Sequence, residues 1–392
     1  MSVLDRLGLS RCINAAGTLT RLGGKPMAPE VIAAMAEVAS VSIDIAALQQ
    51  LASTRIAAAL GAEAGMVTTG ASAAMTLAAA TCIARDDLAR MAALPFAAPP
   101  NEIVLPRTHR TMYSHALAAA GARLVDVGHN DRGAGAGVRG LERWEIEAAI
   151  TPATAAFAFT ATGETIATLP SVAALCRQRG IPLIVDAAAQ LPPRDNLRQL
   201  LAMGADLVCF SGGKAIGGPQ ASGILAGRAD LVGSALAQQL DMDIRADGFT
   251  PPPLLQKIFA KGIPHHGIGR GFKAGKEEIV GLLVALEAFA GGDDAKDATA
   301  AEARLRAIAA GLAGLNSVRA EIVAAARTPV LTIAIDPPAR AGEAVQRLRA
   351  HEPAIHVGER RVGEGVMLVD PQSLLPEDDA LVGRALRAAL AG

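Results

Sequence analysis

Lys214 and Asp186 are the two residues whose types and spacing are best suited to chemistry. Lys214 stands among small residues, in the stretch SGGKAIGG at positions 211–218, directly after the apolar run at 207–210. Asp186 ends the run IPLIVD 28 positions earlier, an interval that fits one strand–helix–strand unit. We therefore expect both side chains at one edge of a parallel sheet, with glycines that let a bound molecule approach the backbone.

A lysine amine and a carboxylate placed in this way suit pyridoxal 5'-phosphate. The amine forms a Schiff base with the aldehyde, and the carboxylate keeps the pyridine nitrogen protonated, so that the ring acts as an electron sink. The stretch TTGAS at 68–72 precedes a helical pattern and offers N–H groups and a hydroxyl to a phosphate. The further cofactor contacts predicted at strand ends are Gly70, Ala71, Ser72 and Ser211 for the phosphate and His109 over the ring face.

Each of these motifs also has an ordinary structural interpretation. A glycine-rich turn can carry a solvated lysine, an aspartate after a strand often caps a helix, and a lone TGAS is usually a capped helix start. The occurrence of all these motifs together, at successive strand ends, favours a cofactor site over the ordinary structural interpretations. The sequence departs from a Walker A loop because Ala215 follows Lys214, and no GxGxxG follows the first strand. The adjacent pair His265 and His266 is weak evidence for a metal, and we assign none.

Short apolar runs alternate with alanine-rich helical patterns between residues 64 and 226, which predicts a largely parallel sheet covered on both faces. The predicted strands are 66–68, 102–105, 123–127, 155–159, 183–185, 207–210 and 223–225, with helices at 171–179 and 196–203. Five of these strands end in small or functional residues. Because the carboxyl ends of parallel strands line one edge, we expect the site there.

The remaining pattern suggests a second, smaller domain. After the loop region 241–266, a long helix is predicted from residue 273, followed by helices at 301–315 and 341–351 and strands at 330–335 and 365–369. We predict an N-terminal arm at 1–40, a large domain at 41–272 and a linking helix with a small α+β domain at 273–392. The stretch RGAGAGVRG at 132–140 is interpreted as a loop.

Composition limits the classes of function. The 392 residues carry 37 Lys and Arg against 38 Asp and Glu, with one Trp and one Tyr, which argues against phosphate neutralisation and base stacking in nucleic acid binding. The four scattered cysteines favour free thiols in a reducing cytoplasm, and the N-terminus has no secretory pattern. The uncharged stretch 64–84 is rich in Ala, Gly, Ser and Thr, so we interpret it as buried rather than as a membrane span.

Several motifs resemble the selenocysteine-synthase-like branch of fold-type-I pyridoxal phosphate enzymes, and within it the D-glucosaminate-6-phosphate ammonia-lyase type. They are INAAGTLTRLGG at 13–24, VTTGASAA at 67–74, IVDAAAQLPP at 184–193, the stretch 204–228 around SGGKAIGGPQ, and GRGFKAGKEEIVGLL at 269–283. The resemblance implies a mainly parallel seven-stranded sheet with a smaller α+β C-terminal domain. It also implies a homodimer or higher homo-oligomer.

The resemblance also assigns roles to residues. Lys214 would hold the cofactor, Asp186 would face its ring nitrogen, and His109 would stack on the ring. The residues expected to contact substrate or cofactor beyond these are Arg270, Lys273 and Lys276 for anionic groups, Asn14, Thr18 and Gln190 in the site, and Arg361 or Arg360 for a carboxylate. In related desulfurases a glutamine stands three residues after the aspartate, whereas this chain has Ala189 there and Gln190 one position later.

These roles imply a lyase acting on an amino acid or amino sugar acid. Lys214 would take the α-proton, a β-hydroxyl would leave, and ammonia and a 2-oxo acid would be released. A racemase, aldolase or aminotransferase starts from the same bound state and stays an alternative. A tRNA-dependent selenium transferase is a further alternative, and the chain lacks the basic balance expected of it. We expect a small-molecule substrate, no nucleic acid and no membrane.

Overall fold

The computed structural model describes residues 2–129, 142–245, 247–324 and 328–391. The predicted loop at 132–140 lies outside the described residues. The chain folds into two compact units. The larger comprises Met27–Gly212 and Ile216–Ala290, and the smaller comprises Met1–Pro26, Gly213–Ala215 and Gly291–Gly392. The predicted domain limits after residues 40 and 272 stay a prediction. In the structure, the chain passes from one unit to the other near residues 26 and 290.

The described residues contain the following regular elements. The strands are β1 Ile13–Ala15, β2 Ala64–Thr68, β3 Glu102–Pro106, β4 Arg123–Val127, β5 Thr154–Thr160, β6 Leu183–Asp186, β7 Leu207–Ser211, β8 Gly223–Gly227, β9 Val318–Val323, β10 Val330–Ile335, β11 Ile355–Arg361 and β12 Val366–Val369. The helices are α1 Val3–Leu7, α2 Pro29–Ala39, α3 Ile45–Leu60, α4 Ala71–Ala84, α5 Leu88–Ala93, α6 His115–Ala119, α7 Arg143–Ala149, α8 Leu169–Arg179, α9 Asn196–Ala202, α10 Ala229–Gln239, α11 Gln256–Phe259, α12 Lys276–Ala290, α13 Asp294–Ala310, α14 Ala339–Arg349 and α15 Asp379–Ala391.

The larger unit is built on a seven-stranded sheet in the order β2-β8-β7-β6-β5-β3-β4. Strand β8 is antiparallel to both of its neighbours, and the pairs from β7 to β4 are parallel. All seven predicted strands are present, and the mainly parallel sheet is confirmed. The apolar runs of the inner strands β3, β5 and β7 are buried on both faces, as parallel strands require.

The register brings several strand ends to one edge of this sheet. Thr160 at the end of β5 pairs with Asp186 at the end of β6, and Asp186 pairs with Cys209 in β7. On the other side, Gly223 at the start of β8 pairs with Ser211. Gly223 also pairs with Thr68 at the end of β2. The ends of β2, β5, β6 and β7 therefore share the edge where ligands bind in open α/β sheets.

Helix α4 packs within the core of the larger unit. It is buried along its length except near Ser72 and Ala73, because alanines allow close approach to the sheet. The uncharged stretch 64–84 thus forms buried strand β2 and helix α4. In the described part of the chain, no helix combines the length and apolarity needed to cross a membrane.

The smaller unit contains a five-stranded sheet in the order β1-β11-β12-β10-β9. Strand β1 pairs in parallel with β11, so the N-terminal arm contributes to this sheet. The predicted strand at 330–335 matches β10, and the α+β pattern is confirmed. Strands β1, β9 and β11 and helix α15 were not predicted. β9 and β11 carry charged residues on their solvent face, which weakens the apolar signal in the sequence.

Candidate active site

Gly70 positions the N-terminus of α4 at the common edge of the sheet. Its φ of 90° lies in the region that favours glycine, and its carbonyl accepts a 3.0 Å hydrogen bond from the Thr68 hydroxyl. A Cβ on Gly223 would lie 2.4 Å from the carbonyl carbon of Gly70, so β8 can approach this turn only through glycine. The first-turn N–H groups of a helix have no intrahelical partners, and the exposed Ser72 follows Ala71 there. This turn is suited to hold an anion.

Asp186 is the last residue of β6 and is half-buried. One carboxylate oxygen accepts a 3.0 Å hydrogen bond from the N–H of Ala188, which fixes the turn after the strand. Burial, followed by the charge of Asp186, raises the pKa of the neighbouring Cys209 thiol well above its usual value.

His109 lies in a short 3-10 turn directly after β3 and is 3% exposed. Its Nδ1 accepts a 3.2 Å hydrogen bond from the N–H of Thr160, so the ring proton lies on Nε2. Burial lowers the pKa of His109 to about 4, and the ring is therefore neutral near pH 7. The edge of the ring packs against Phe159, with ring centroids 4.6 Å apart.

Lys214 follows β7 in a segment with unusual backbone geometry. Its φ of −100° and ψ of −125° lie outside the main allowed regions. Gly212 is held by hydrogen bonds from its N–H to Ser222, at 2.8 Å, and from Gly218 to its carbonyl, at 2.9 Å. A Cβ at Gly212 would lie 2.1 Å from the Ser222 hydroxyl. Gly212 is therefore needed to pack this turn.

The basic segment after residue 267 is joined to the turn that precedes α4. The Thr69 hydroxyl donates a 2.8 Å hydrogen bond to the carbonyl of Phe272, which places Arg270 and Lys273 near the start of α4. Arg270 donates to Asp241 at 2.6 Å, and its Nε is buried without a protein partner among the described residues. Lys273 is exposed. Their role in binding an anionic group stays a prediction.

Lys276 has a different environment from Arg270 and Lys273. Its ammonium donates hydrogen bonds to the carbonyls of Ala39 and Val41, at 3.1 and 2.7 Å. Ala39 ends α2, so Lys276 satisfies backbone acceptors at a helix C-terminus. This arrangement supports a structural role for Lys276.

Three predicted substrate contacts lie in the smaller unit. The buried Asn14 amide donates to the carbonyl of Gly17 at 2.8 Å and accepts from the N–H of Ala16 at 3.0 Å, which stabilises a local turn. Arg361 is exposed and donates to Glu364 at 2.8 Å. Thr18 is half-buried. Their roles in substrate binding stay predictions.

Gln190 lies in the turn after Asp186. Its N–H donates to the carbonyl of Ala187 at 3.0 Å, and its own carbonyl accepts from the side chain of Asn196 at 2.7 Å. These bonds involve the backbone of Gln190 and stabilise the turn. Its predicted contact with the cofactor stays a prediction.

Two residues contribute to the site in ways that the sequence did not indicate. Thr160 holds both the ring and the backbone of His109, and it stands first in the stretch TATGET. Lys25 donates hydrogen bonds to the carbonyls of Gly213 and Ala215, on both sides of Lys214. The only sequence signal for Lys25 was its own glycine pair at 23–24.

Asp241, Asp243 and His266 bring potential metal-ligating atoms within 4.8 Å of one another. All three residues are exposed, and Asp241 is already paired with Arg270. The positive charge of Arg270 disfavours a cation at this position. We assign no metal to the group.

Comparisons with known proteins show which proteins this chain resembles. The family model of L-seryl-tRNA selenium transferase matches residues 113–255. The D-glucosaminate-6-phosphate ammonia lyase of Salmonella typhimurium (strain 14028s / SGSC 2262) is 30% identical, over 98% of this chain and 97% of that enzyme. The 5'-C-glycyluridine monooxygenase-decarboxylase of a Streptomyces species is 32% identical, over 98% of this chain and 91% of that protein.

A solved structure of D-glucosaminate-6-phosphate ammonia-lyase superposes on the chain with a TM-score of 0.81 and 29% identity. The match covers 100% of this chain and 98% of that one. Both the superposition and the full-length sequence similarity therefore lead to the same group of proteins. The chain belongs to the selenocysteine-synthase-like family of fold-type-I pyridoxal phosphate enzymes.

Proposed function

We propose that this protein is a pyridoxal-phosphate-dependent lyase that releases ammonia and a 2-oxo acid from a hydroxylated amino acid or amino sugar acid. The observation that carries the proposal is the full-length similarity to an ammonia-lyase, combined with Lys214 and Asp186 after neighbouring strands β7 and β6. The mainly parallel sheet supports the proposal because it aligns these two strand ends.

The residues at the strand ends fit pyridoxal phosphate. The start of α4, with Ser72 and Ser211, offers hydrogen-bond donors to the phosphate. Nothing lies within 4 Å of the place where a Cβ on Gly70 would stand, so a ligand can approach the backbone there. Asp186 offers a negative charge to the ring nitrogen, and the neutral His109 offers a flat face. When bound, the cofactor supplies an electron sink for charge that develops at the α-carbon.

The chain's own residues would then move protons and orient the substrate. The amine of Lys214 takes the proton from the α-carbon as a general base. Loss of that proton and of a hydroxyl from the β-carbon removes water, and hydrolysis of the resulting enamine yields ammonia and the 2-oxo acid. Arg270 and Lys273 bind a carboxylate or phosphate of the substrate, since a guanidinium suits planar anions. Asn14, Thr18, Gln190 and Arg361 are proposed as further contacts.

Assays of ammonia and 2-oxo acid release test this function. The purified protein, loaded with pyridoxal phosphate, is offered D- and L-3-hydroxyamino acids and amino sugar acids with and without a phosphate. We expect release from at least one of these classes and none after Lys214→Ala. Lys296→Ala changes an exposed lysine on α13 and serves as the matched control. If Lys214→Ala retains wild-type turnover, the assigned role of Lys214 is wrong.

A second candidate reaction is oxidative decarboxylation, which the similarity to the monooxygenase-decarboxylase favours. It predicts consumption of dioxygen and release of carbon dioxide with the same substrates. The two reactions are separated by running the assay with and without dioxygen. Ammonia release that is independent of dioxygen supports the lyase, whereas obligatory dioxygen consumption supports the second candidate.

The oligomeric state is a further part of the proposal. We propose a homodimer or higher homo-oligomer, because the relatives are expected to assemble in this way. Light scattering coupled to size-exclusion chromatography measures the mass directly. A monomer of 39.9 kDa at working concentration would contradict it.

A further inference from the structure

We propose that Lys25 is a positioning residue that holds the Lys214 segment in its working conformation. The inference rests on the function proposed above and adds a residue to its site. Lys25 does not contact reacting atoms in this role. It acts through the peptide groups that flank Lys214.

The contacts of Lys25 enclose the reactive lysine on both sides. Its backbone N–H donates a 3.1 Å hydrogen bond to the carbonyl of Gly213. That carbonyl is part of the peptide group between Gly213 and Lys214. Its ammonium donates a 3.2 Å hydrogen bond to the carbonyl of Ala215, the residue that follows. One residue therefore fixes the orientation of two carbonyls in the three-residue stretch Gly213–Ala215.

Lys214 lies at a kink in the chain. Its φ and ψ of −100° and −125° are non-helical, within the otherwise helical turn Gly212–Ile216. The peptide groups on either side of the kink therefore depend on hydrogen bonds from outside a regular helix. The bonds of Gly212 to Ser222 and Gly218 hold the N-terminal side of the turn, and Lys25 holds the rest.

Lys25 itself is held by a tight turn. Gly24 donates to the carbonyl of Leu19 at 3.0 Å, and Gly23 donates to that of Thr20 at 3.1 Å. Both glycines have positive φ, at 88° and 71° for Gly23 and Gly24. Pro26 follows and favours an extended conformation at Lys25. The half-buried side chain thus leaves a defined backbone and reaches a defined acceptor.

The test compares Lys25→Met, which keeps the apolar stem and removes the charged donor, with Lys25→Arg, which keeps a cationic donor. The matched control is Lys296→Met on α13. The proteins are loaded with pyridoxal phosphate, and visible-region circular dichroism per bound cofactor is measured with kcat, KM and the thermal unfolding midpoint. The cofactor is achiral, so its dichroism reports how firmly the attached lysine is oriented.

We expect Lys25→Met to lose visible dichroism and about tenfold in kcat, because one charge-assisted hydrogen bond to the Lys214 segment is lost. KM should stay unchanged, and the unfolding midpoint should fall by no more than about 2–4 °C. Lys25→Arg should recover both signals, and Lys296→Met should match the wild type. Borohydride reduction and peptide mapping should still place the cofactor on residue 214. If Lys25→Met does not fold, Lys25→Gln gives the same comparison with a shorter side chain.

Two results overturn the inference and are distinguishable. If the wild type acquires a visible band and Lys25→Met has the same dichroism and kcat, the role of Lys25 is refuted and the proposed function is not. A wild-type protein that never acquires a visible band refutes the proposed function, and the role of Lys25 with it.

Discussion

Thr160 donates two hydrogen bonds to His109, one from its N–H to Nδ1 at 3.2 Å and one from its hydroxyl to the histidine carbonyl at 3.0 Å. The first bond requires an unprotonated Nδ1, so the neutral tautomer carries its proton on Nε2. The second fixes the backbone of the turn after β3. Neighbouring strands β3 and β5 thereby hold one ring in one orientation, which suits a group that stacks on a flat cofactor.

The stability of the cofactor-free protein should depend on pH through His109. Burial lowers the pKa of His109 to about 4, whereas an unfolded histidine titrates near about 6.5. The unfolded chain therefore binds the proton first as the pH falls. The contribution of neutral His109 is complete above pH about 6.5 and is lost between pH about 6.5 and 4.

The change His109→Asn removes this titration. We expect the loss of unfolding free energy between pH 7.5 and pH 5 to shrink by about 2 kcal/mol relative to the wild type. Urea denaturation at the two pH values measures it. The exposed residue His265 provides the control His265→Asn, which should keep the wild-type difference. An equal pH dependence in His109→Asn and wild type would contradict the burial of a neutral ring.

Asp186→Asn should remove charge and preserve the turn. The amide oxygen can still accept the hydrogen bond from the N–H of Ala188, so the fold should not change. We expect kcat to fall by about 10²- to 10³-fold, because a positioned charge that stabilises the transition state is lost. Ammonia release measures the effect, and Asp243→Asn, at an exposed aspartate, is the control. Wild-type kcat in Asp186→Asn would exclude the proposed contact with the ring nitrogen.

Gly223→Ala tests the close approach of β8 to the turn before α4. The added Cβ would lie 2.4 Å from the carbonyl carbon of Gly70 and 2.7 Å from the N of Ala71, so backbone must move. We expect a loss of about 1–3 kcal/mol in unfolding free energy, together with weaker binding of pyridoxal phosphate. Gly342→Ala in α14 adds a methyl group to open space and should not destabilise the protein. Unchanged stability and cofactor affinity in Gly223→Ala would show that this contact is unimportant.

Arg270→Ala should act on substrate binding. The guanidinium faces Asp241 and lies in the segment tied to Thr69, and loss of one charge-assisted hydrogen bond to an anion predicts a KM about 10- to 100-fold higher. Steady-state kinetics with an active substrate measures KM and kcat. Arg245→Ala removes an exposed arginine that pairs with Asp247 and should leave KM unchanged. An unchanged KM in Arg270→Ala would exclude a direct substrate contact.

Lys276→Met should act on stability rather than on substrate binding. Removal of the ammonium leaves the carbonyls of Ala39 and Val41 without this donor, and we expect a loss of about 1 kcal/mol in unfolding free energy. KM should stay at the wild-type value. Thermal and urea denaturation measure stability, with Lys296→Met as the control. A large rise in KM at constant stability would instead place Lys276 in the substrate site.

Much of the large sheet could be predicted from the sequence. Its strands are short apolar runs separated by turn residues, and such local patterns do not depend on distant packing. The positions of Asp186 and Lys214 at strand ends followed from the same patterns. The missed strands β1, β9 and β11 lie in the smaller unit, where β1 has only three residues and β9 and β11 expose charged residues.

By itself, the sequence determined the order of the strands along the chain and which reactive side chains follow them, because apolar periodicity and glycine placement are local properties. Only the tertiary structure decided the partners of those side chains. Arg270 meets Asp241, Lys276 reaches the end of α2, and Lys25 holds the peptides around Lys214. Hydrogen bonds form between groups that folding brings within about 3 Å, and the separation of two residues along the chain does not specify that distance.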